Sequence, residues 1–254
     1  MQTIVRFAVA VTLLSVPSPL LAIVGNAALV AGPTARSVVT IIGSRGNFCS
    51  GALIAPKIVL TAAHCVQPYA DYKIVQYDDD RRPSLINIRR VQIHPQFTMT
   101  AIAQSRATAD VALLELSEAI DIPASMMIGT PTEPMVPGRP YGVLGVGVTQ
   151  RGDGKSAGFV RAARLVSTNK PGRLQIRLVD PATSNARDGL GACTGDSGGP
   201  VTEDQNGRMV IVGVVSWSTG PNNIAGCGGL TGVTPLTLYR EWLITTAREW
   251  GAEL

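Results

Sequence analysis

The stretch Ala192-Cys193-Thr194-Gly195-Asp196-Ser197-Gly198-Gly199-Pro200 sets a serine among glycines with a carboxylate directly before it. A hydroxyl is a poor nucleophile until a base takes its proton. The oxyanion that follows its attack needs backbone N–H groups aimed at it, and glycines leave room for them. Standing alone, the stretch reads as a glycine-rich turn with a solvent-facing serine. Its chemistry therefore depends on whether the rest of the chain supplies a base and a group to orient that base.

The chain has two histidines. His64 lies in Thr61-Ala62-Ala63-His64-Cys65, at the end of a β-branched apolar run and beside a cysteine. His94 lies in Ile93-His94-Pro95, where proline restrains the preceding backbone, and it has no comparable motif around it. His64 is thus the candidate base and His94 a structural or surface residue. In Ala109-Asp110-Val111-Ala112-Leu113-Leu114 a carboxylate stands at the edge of a strongly apolar strand. A charge there is costly without a hydrogen-bonded partner, which makes Asp110 the candidate orienting acid.

In these three motifs the chain resembles the trypsin and chymotrypsin family of serine proteases. His64, Asp110 and Ser197 follow one another in that family's order, and the likeness spans roughly residues 23–250. The resemblance implies an all-β fold of two six-stranded antiparallel β-barrels with a C-terminal helix. It implies that His64 takes the proton from Ser197 as the hydroxyl attacks a peptide carbonyl, and then returns a proton to the leaving amine. Asp110 would fix the imidazole tautomer, the N–H groups of Gly195 and Ser197 would form the oxyanion hole, and water would resolve the acyl-enzyme.

More of the chain fits the same resemblance. Ile23-Val24-Gly25-Asn26 looks like the family's mature N-terminus, whose freed ammonium pairs with the carboxylate before the nucleophile, here Asp196. Four cysteines in an exported chain suggest two disulfides, and four thiols allow three pairings. The family pattern selects Cys49 with Cys65 and Cys193 with Cys227. By the same pattern the substrate pocket is built from Gly191, Ala192, Ser216, Trp217, Ser218 and Gly232. Gly191 occupies the floor position, where trypsin-type enzymes carry an aspartate, so the expectation is an uncharged pocket and apolar side chains before the scissile bond. Asp188 serves a tryptic specificity only along an unusual loop path. Ser218 stands where the family commonly has glycine.

The bulk properties agree with an exported, folded protein. Of 254 residues, 45% are hydrophobic and 16% charged, with 27 glycines and 17 prolines, as suits many short strands joined by turns. Residues 1–22 read as a signal peptide: Arg6, then a largely apolar ten-residue run from Phe7 to Val16, then Pro17-Ser18-Pro19 and Leu20-Leu21-Ala22. A membrane anchor needs about 20 continuous apolar residues, and no later segment has them. With the leader removed, the formal net charge falls from +4 to +3. The scattered basic residues give no patch for nucleic acid or an anionic membrane. No nucleic-acid or membrane partner is therefore expected; the resemblance implies protein or peptide substrates and protein inhibitors for a secreted or periplasmic monomer.

Apolar β-branched runs fall at residues 38–42, 52–60, 111–116, 141–148, 174–179 and 209–216. The mature chain, residues 23–254, reads as one peptidase domain of two halves that meet near residues 131–140. After Pro235 the period lengthens, and Tyr239, Trp242, Leu243, Thr246 and Trp250 define one face of a terminal helix. No cofactor or metal is expected. Asp78-Asp79-Asp80 offers oxygen ligands of the kind calcium takes, but Arg81 and Arg82 follow at once, which favours a self-neutralising solvated loop. The rival reading from another class is a catalytically silent binding protein on the same fold.

Overall fold

Twelve strands form two closed antiparallel barrels in the computed structural model, which describes residues 23–67, 70–77, 82–104, 106–121 and 126–254. The leader at residues 1–22 and the run Asp78-Asp79-Asp80 with Arg81 lie outside the described residues. The first barrel contains β1 (Val38–Gly43), β2 (Phe48–Ala55), β3 (Ile58–Thr61), β4 (Tyr72–Tyr77), β5 (Pro83–Ile93) and β6 (Ala112–Leu116). It closes in the order β1-β2-β3-β6-β5-β4. The second contains β7 (Pro140–Gly145), β8 (Arg161–Ser167), β9 (Ile176–Val179), β10 (Pro200–Gln205), β11 (Arg208–Ser218) and β12 (Thr231–Pro235). It closes as β7-β8-β9-β12-β11-β10, the same path through its six strands. Two short accessory strands, Ala28–Leu29 and Met127–Ile128, pair with β8 and β11.

The expected run 52–60 is two strands. Pro56, which has no N–H to give a ladder, sits with Lys57 in the turn between them, and the hairpin registers Leu53 against Val59. Both strands read as one continuous apolar stretch because β3 is buried on both faces. Val59 points into the first barrel with Ile41, Leu53, Ile74 and Leu114. Its neighbours Ile58 and Leu60 face a second cluster with Leu113, Val214, Leu236 and Leu243. That cluster locks the first barrel to the second and to the terminal helix, Arg240–Glu249. Each fully buried Leu or Ile contributes about 1.5–3 kcal/mol relative to exposure, so this double-faced strand is a strong anchor for the residues that follow it. The second barrel has its own core, in which Ile23 packs with Tyr141, Val143, Leu165 and Val233.

His94 is buried in this frame. Its ring meets Tyr239 and Trp242 edge-on, with centroids 5.0 and 4.8 Å away, and Nδ1 accepts the Gln96 N–H. Burial holds its pKa below the ordinary histidine value, which keeps the ring neutral.

Candidate active site

β3 ends at Thr61, and after the extended residue Ala62 a single 3-10 turn, Ala63–Val66, presents His64. The turn is tied back to β2 by the Cys49–Cys65 disulfide, with Cα atoms 6.1 Å apart. Asp110 stands just before β6, which pairs with β3, so the sheet register brings acid and base together. His64 Nδ1 lies 2.8 Å from Asp110 Oδ2, and the His64 backbone N–H donates to Oδ1 at 2.9 Å. Ser216 at the end of β11 donates its hydroxyl to Oδ2 as well. Asp110 is 0% exposed, so these donors supply what a buried carboxylate requires. With Nδ1–H committed to the carboxylate, a neutral His64 presents a lone pair at Nε2.

The Ser197 loop reaches the same place from the second barrel. Gly195 and Gly198 have φ of +95° and +79°, a region that side chains disfavour. Space forbids side chains there too: a Cβ on Gly198 would stand 2.1 Å from Thr61 Oγ1 and 2.4 Å from Ser50 O. That near-contact sets the residue after Ser197 against the strand end that delivers His64. Ser50 N–H also donates to Ser197 O at 2.8 Å. Ser197 is partly exposed. Among the described residues no hydrogen bond joins its Oγ to His64 Nε2, which lies 3.8 Å from Cys65 Sγ. Such bonds often tighten only when substrate is present. Among the described residues, too, the N–H groups of Gly195 and Ser197 have no intramolecular acceptor. Both donors are left available.

Asp196 is fully buried. Gly147 N–H donates to Oδ1 and Cys193 N–H to Oδ2, each at 2.8 Å. A Cβ on Gly145 would lie 2.2 Å from Oδ1, so the sequence Gly145-Val146-Gly147 makes the space this carboxylate occupies. Burial pushes its pKa up to about 7, against the downward pull of the two N–H donors and of Arg161. Ile23 is likewise 0% exposed, and the adjacent Val24 forms an antiparallel bridge with Gly191.

The residues expected to line a substrate pocket converge at the end of β11 and β12. Trp217 pairs with Gly232 and Ser218 with Thr231. The Trp217 indole lies over Gly232, where a Cβ would come within 2.0 Å of the ring, and Gly228 Cα would meet a Cβ on Gly191 at 3.0 Å. Ala192 N–H donates to Thr231 Oγ1 at 3.0 Å. The Cys193–Cys227 disulfide joins this wall to the Ser197 loop. Asp188 is exposed, whereas Asp180 is buried, with its oxygens taken by the N–H groups of Ala182 and Leu190.

Sequence reading missed Ser50, three of whose hydrogen bonds knit the two barrels, and the role of Gly145 and Gly147 around Asp196. A serine in an apolar strand, Cys49-Ser50-Gly51-Ala52, was the signal available for the first. Cys49, His64 and Cys65 are close enough to suggest metal ligands, but both sulfurs are held in the disulfide. Among the described residues no helix is long and apolar enough to cross a membrane.

Comparison with known proteins agrees with this geometry. Coagulation factor XII from Cavia porcellus is 31% identical over 253 aligned positions, which take in 89% of this chain. The chain covers 40% of that relative's length. The family model described as Trypsin matches residues 23–243, and with that match, the double barrel and the Asp110–His64 arrangement, the chain belongs to the trypsin family of serine proteases.

Proposed function

We propose that the chain is an exported serine endopeptidase that works through Ser197, His64 and Asp110. The observation that carries this reading is the 2.8 Å contact between His64 Nδ1 and the buried Asp110, which commits Nδ1 to the carboxylate and leaves the Nε2 lone pair for proton transfer. Nε2 takes the Ser197 proton as Oγ bonds to the substrate carbonyl carbon. The carbonyl electron pair moves to oxygen, where the N–H groups of Gly195 and Ser197 receive it; a donor in such a hole is worth about 3–4 kcal/mol. The tetrahedral adduct collapses, the C–N bond breaks, and the amine leaves with the proton from His64. Water, deprotonated by His64, then attacks the ester, and Ser197 regains its proton.

Cleavage after Ala22 would free the Ile23 ammonium, and export and activation would be a single step. The burial of Ile23 beside the Val24–Gly191 bridge, and of Asp196 in the same barrel, supports their pairing. Substrates would be proteins or peptides cut after apolar side chains, since Gly191, Ala192 and Gly232 add no charge and Asp188 is exposed. The two disulfides favour a secreted or periplasmic setting. The protein would act as a monomer open to protein inhibitors.

The test is the cleavage profile of the Ile23 form on a diverse peptide library, with Ser197→Ala as control. Cleavage after apolar residues that the substitution abolishes is the expected outcome. Cleavage after Arg or Lys would keep the mechanism and return the specificity to Asp188. No cleavage by correctly processed protein would favour a silent binding protein.

A further inference from the structure

Ser50 is 0% exposed and hydrogen-bonds to four residues on three separate segments. Its backbone N–H donates to Ser197 O at 2.8 Å, and its carbonyl accepts the Thr61 hydroxyl at 2.9 Å. Its side chain bridges two further places: Oγ donates to Gly195 O at 2.8 Å and accepts the Val146 N–H at 2.9 Å. A hydroxyl has one proton to give, and with Val146 N–H on its lone pair the direction of that proton is set.

The target of that proton matters because of where Gly195 stands. Its N–H lies in the peptide plane that also contains Thr194 O, and its carbonyl lies in the next plane. Val148 N–H holds Thr194 O at 2.9 Å, and Ser50 Oγ holds Gly195 O. The two planes that flank the Gly195 Cα are therefore each fixed from outside. A glycine at φ +95° has little intrinsic preference to keep them so. The Phe48 ring closes the remaining side, within 2.6 Å of where a Cβ would stand.

We propose that Ser50 is a positioning residue for the oxyanion hole, acting through the Gly195 carbonyl to keep the Gly195 N–H aimed at the developing oxyanion. This deepens the peptidase reading above and rests on it. Loss of the hydroxyl leaves Gly195 O and Val146 N–H without their partner, and the Gly195–Asp196 plane held only from its other side, where the Asp196 N–H donates to Cys193 O at 3.0 Å. The effect belongs to the transition state, because the N–H works hardest when charge has formed on the carbonyl oxygen.

The experiment compares wild type, Ser50→Ala and Ser50→Gly, each beginning at Ile23. Competent sites are counted by fluorophosphonate titration, so that unfolded protein drops out. On a peptide substrate, kcat per titrated site is expected to fall about 10- to 100-fold with KM within about twofold, less than the roughly 10²–10³ for deleting a donor outright. A peptide aldehyde, which forms an oxyanion on Ser197, is expected to weaken in parallel while a non-covalent product peptide binds as before. Two results overturn the assignment: kcat per titrated site within about twofold of wild type, or aldehyde and product peptide weakening together. The glycine variant carries the comparison if the alanine variant does not fold. A wild type that neither turns over nor titrates would sink the peptidase reading and this one with it. A wild type that turns over, matched by its variants, removes Ser50 alone.

Discussion

Val24 forms a β-bridge with Gly191, which ties the residue next to the proposed cleavage point to the proposed floor of the substrate pocket. The bridge lies two residues from Cys193, whose N–H holds Asp196 Oδ2. Processing at Ile23 would thereby be linked mechanically to the carboxylate beside Ser197.

In the uncleaved chain Asp196 has no ammonium to meet, and burial pushes its pKa up to about 7 from 3.8. The folded protein then holds this proton across a range where the unfolded chain has released it. The stability it contributes is fully present below pH 3.8 and is lost as pH rises through about 7. Thermal melts of an uncleavable chain are expected to lose stability over this window relative to its Asp196→Asn variant. Cleavage at Ile23 should remove that difference. Parallel pH profiles for the uncleaved chain and its Asn variant would contradict the reading.

Gly232 has room for hydrogen alone, because the Trp217 indole covers its Cα. Gly232→Ala must displace the ring from the proposed pocket. Catalytic efficiency on apolar substrates is expected to fall by about 10-fold or more, on the scale of a methyl group misplaced in an apolar pocket. Fluorophosphonate labelling of Ser197 should stay near wild type. Unchanged efficiency would place the substrate side chain elsewhere.

The Cys49–Cys65 bridge closes a loop of 16 residues around the β2–β3 hairpin and fixes the turn that carries His64. Replacing both cysteines by alanine is expected to cost about 3 kcal/mol in chemical denaturation. Activity per folded molecule should fall as the turn loosens. A stability loss well under 1 kcal/mol would show that sheet pairing alone holds the turn.

His94 is buried against Tyr239 and Trp242 with its pKa lowered by that burial. The unfolded chain therefore takes up a proton that the folded chain refuses. The resulting stability is present above the ordinary histidine value, about 6.5, and is lost as pH falls below it. His94→Phe is expected to flatten the acid side of the stability profile between pH 7 and 5. An unaltered profile would mean that His94 titrates freely.

The positions proposed as catalytic stand out in the sequence because each sits in a local pattern: glycines around Ser197, the apolar strand ending before His64, and the charge of Asp110 at the edge of an apolar run. The fold was legible where strands are apolar on their inward faces and bounded by turns, as in Val38–Gly43 and Ala112–Leu116. Strands with mostly polar exposure escaped. Along Pro83–Ile93 only Ile86 is buried, and Arg161–Ser167 alternates Arg161, Ala163, Leu165 and Ser167 inward with no run of apolar residues. Ser50 was illegible for a different reason: its partners Gly195, Val146 and Ser197 belong to the second barrel, far from it in the chain, and only the meeting of the two barrels brings them together.

The central claim is that Ser197 is a nucleophile activated by His64 and Asp110. The most direct test treats the Ile23 form with a fluorophosphonate and locates the added mass by peptide mapping. A single adduct on Ser197 is expected, formed at a rate that drops by several orders of magnitude in His64→Ala and absent in Ser197→Ala. Failure of the processed, folded protein to label, or an adduct on another residue, would contradict it.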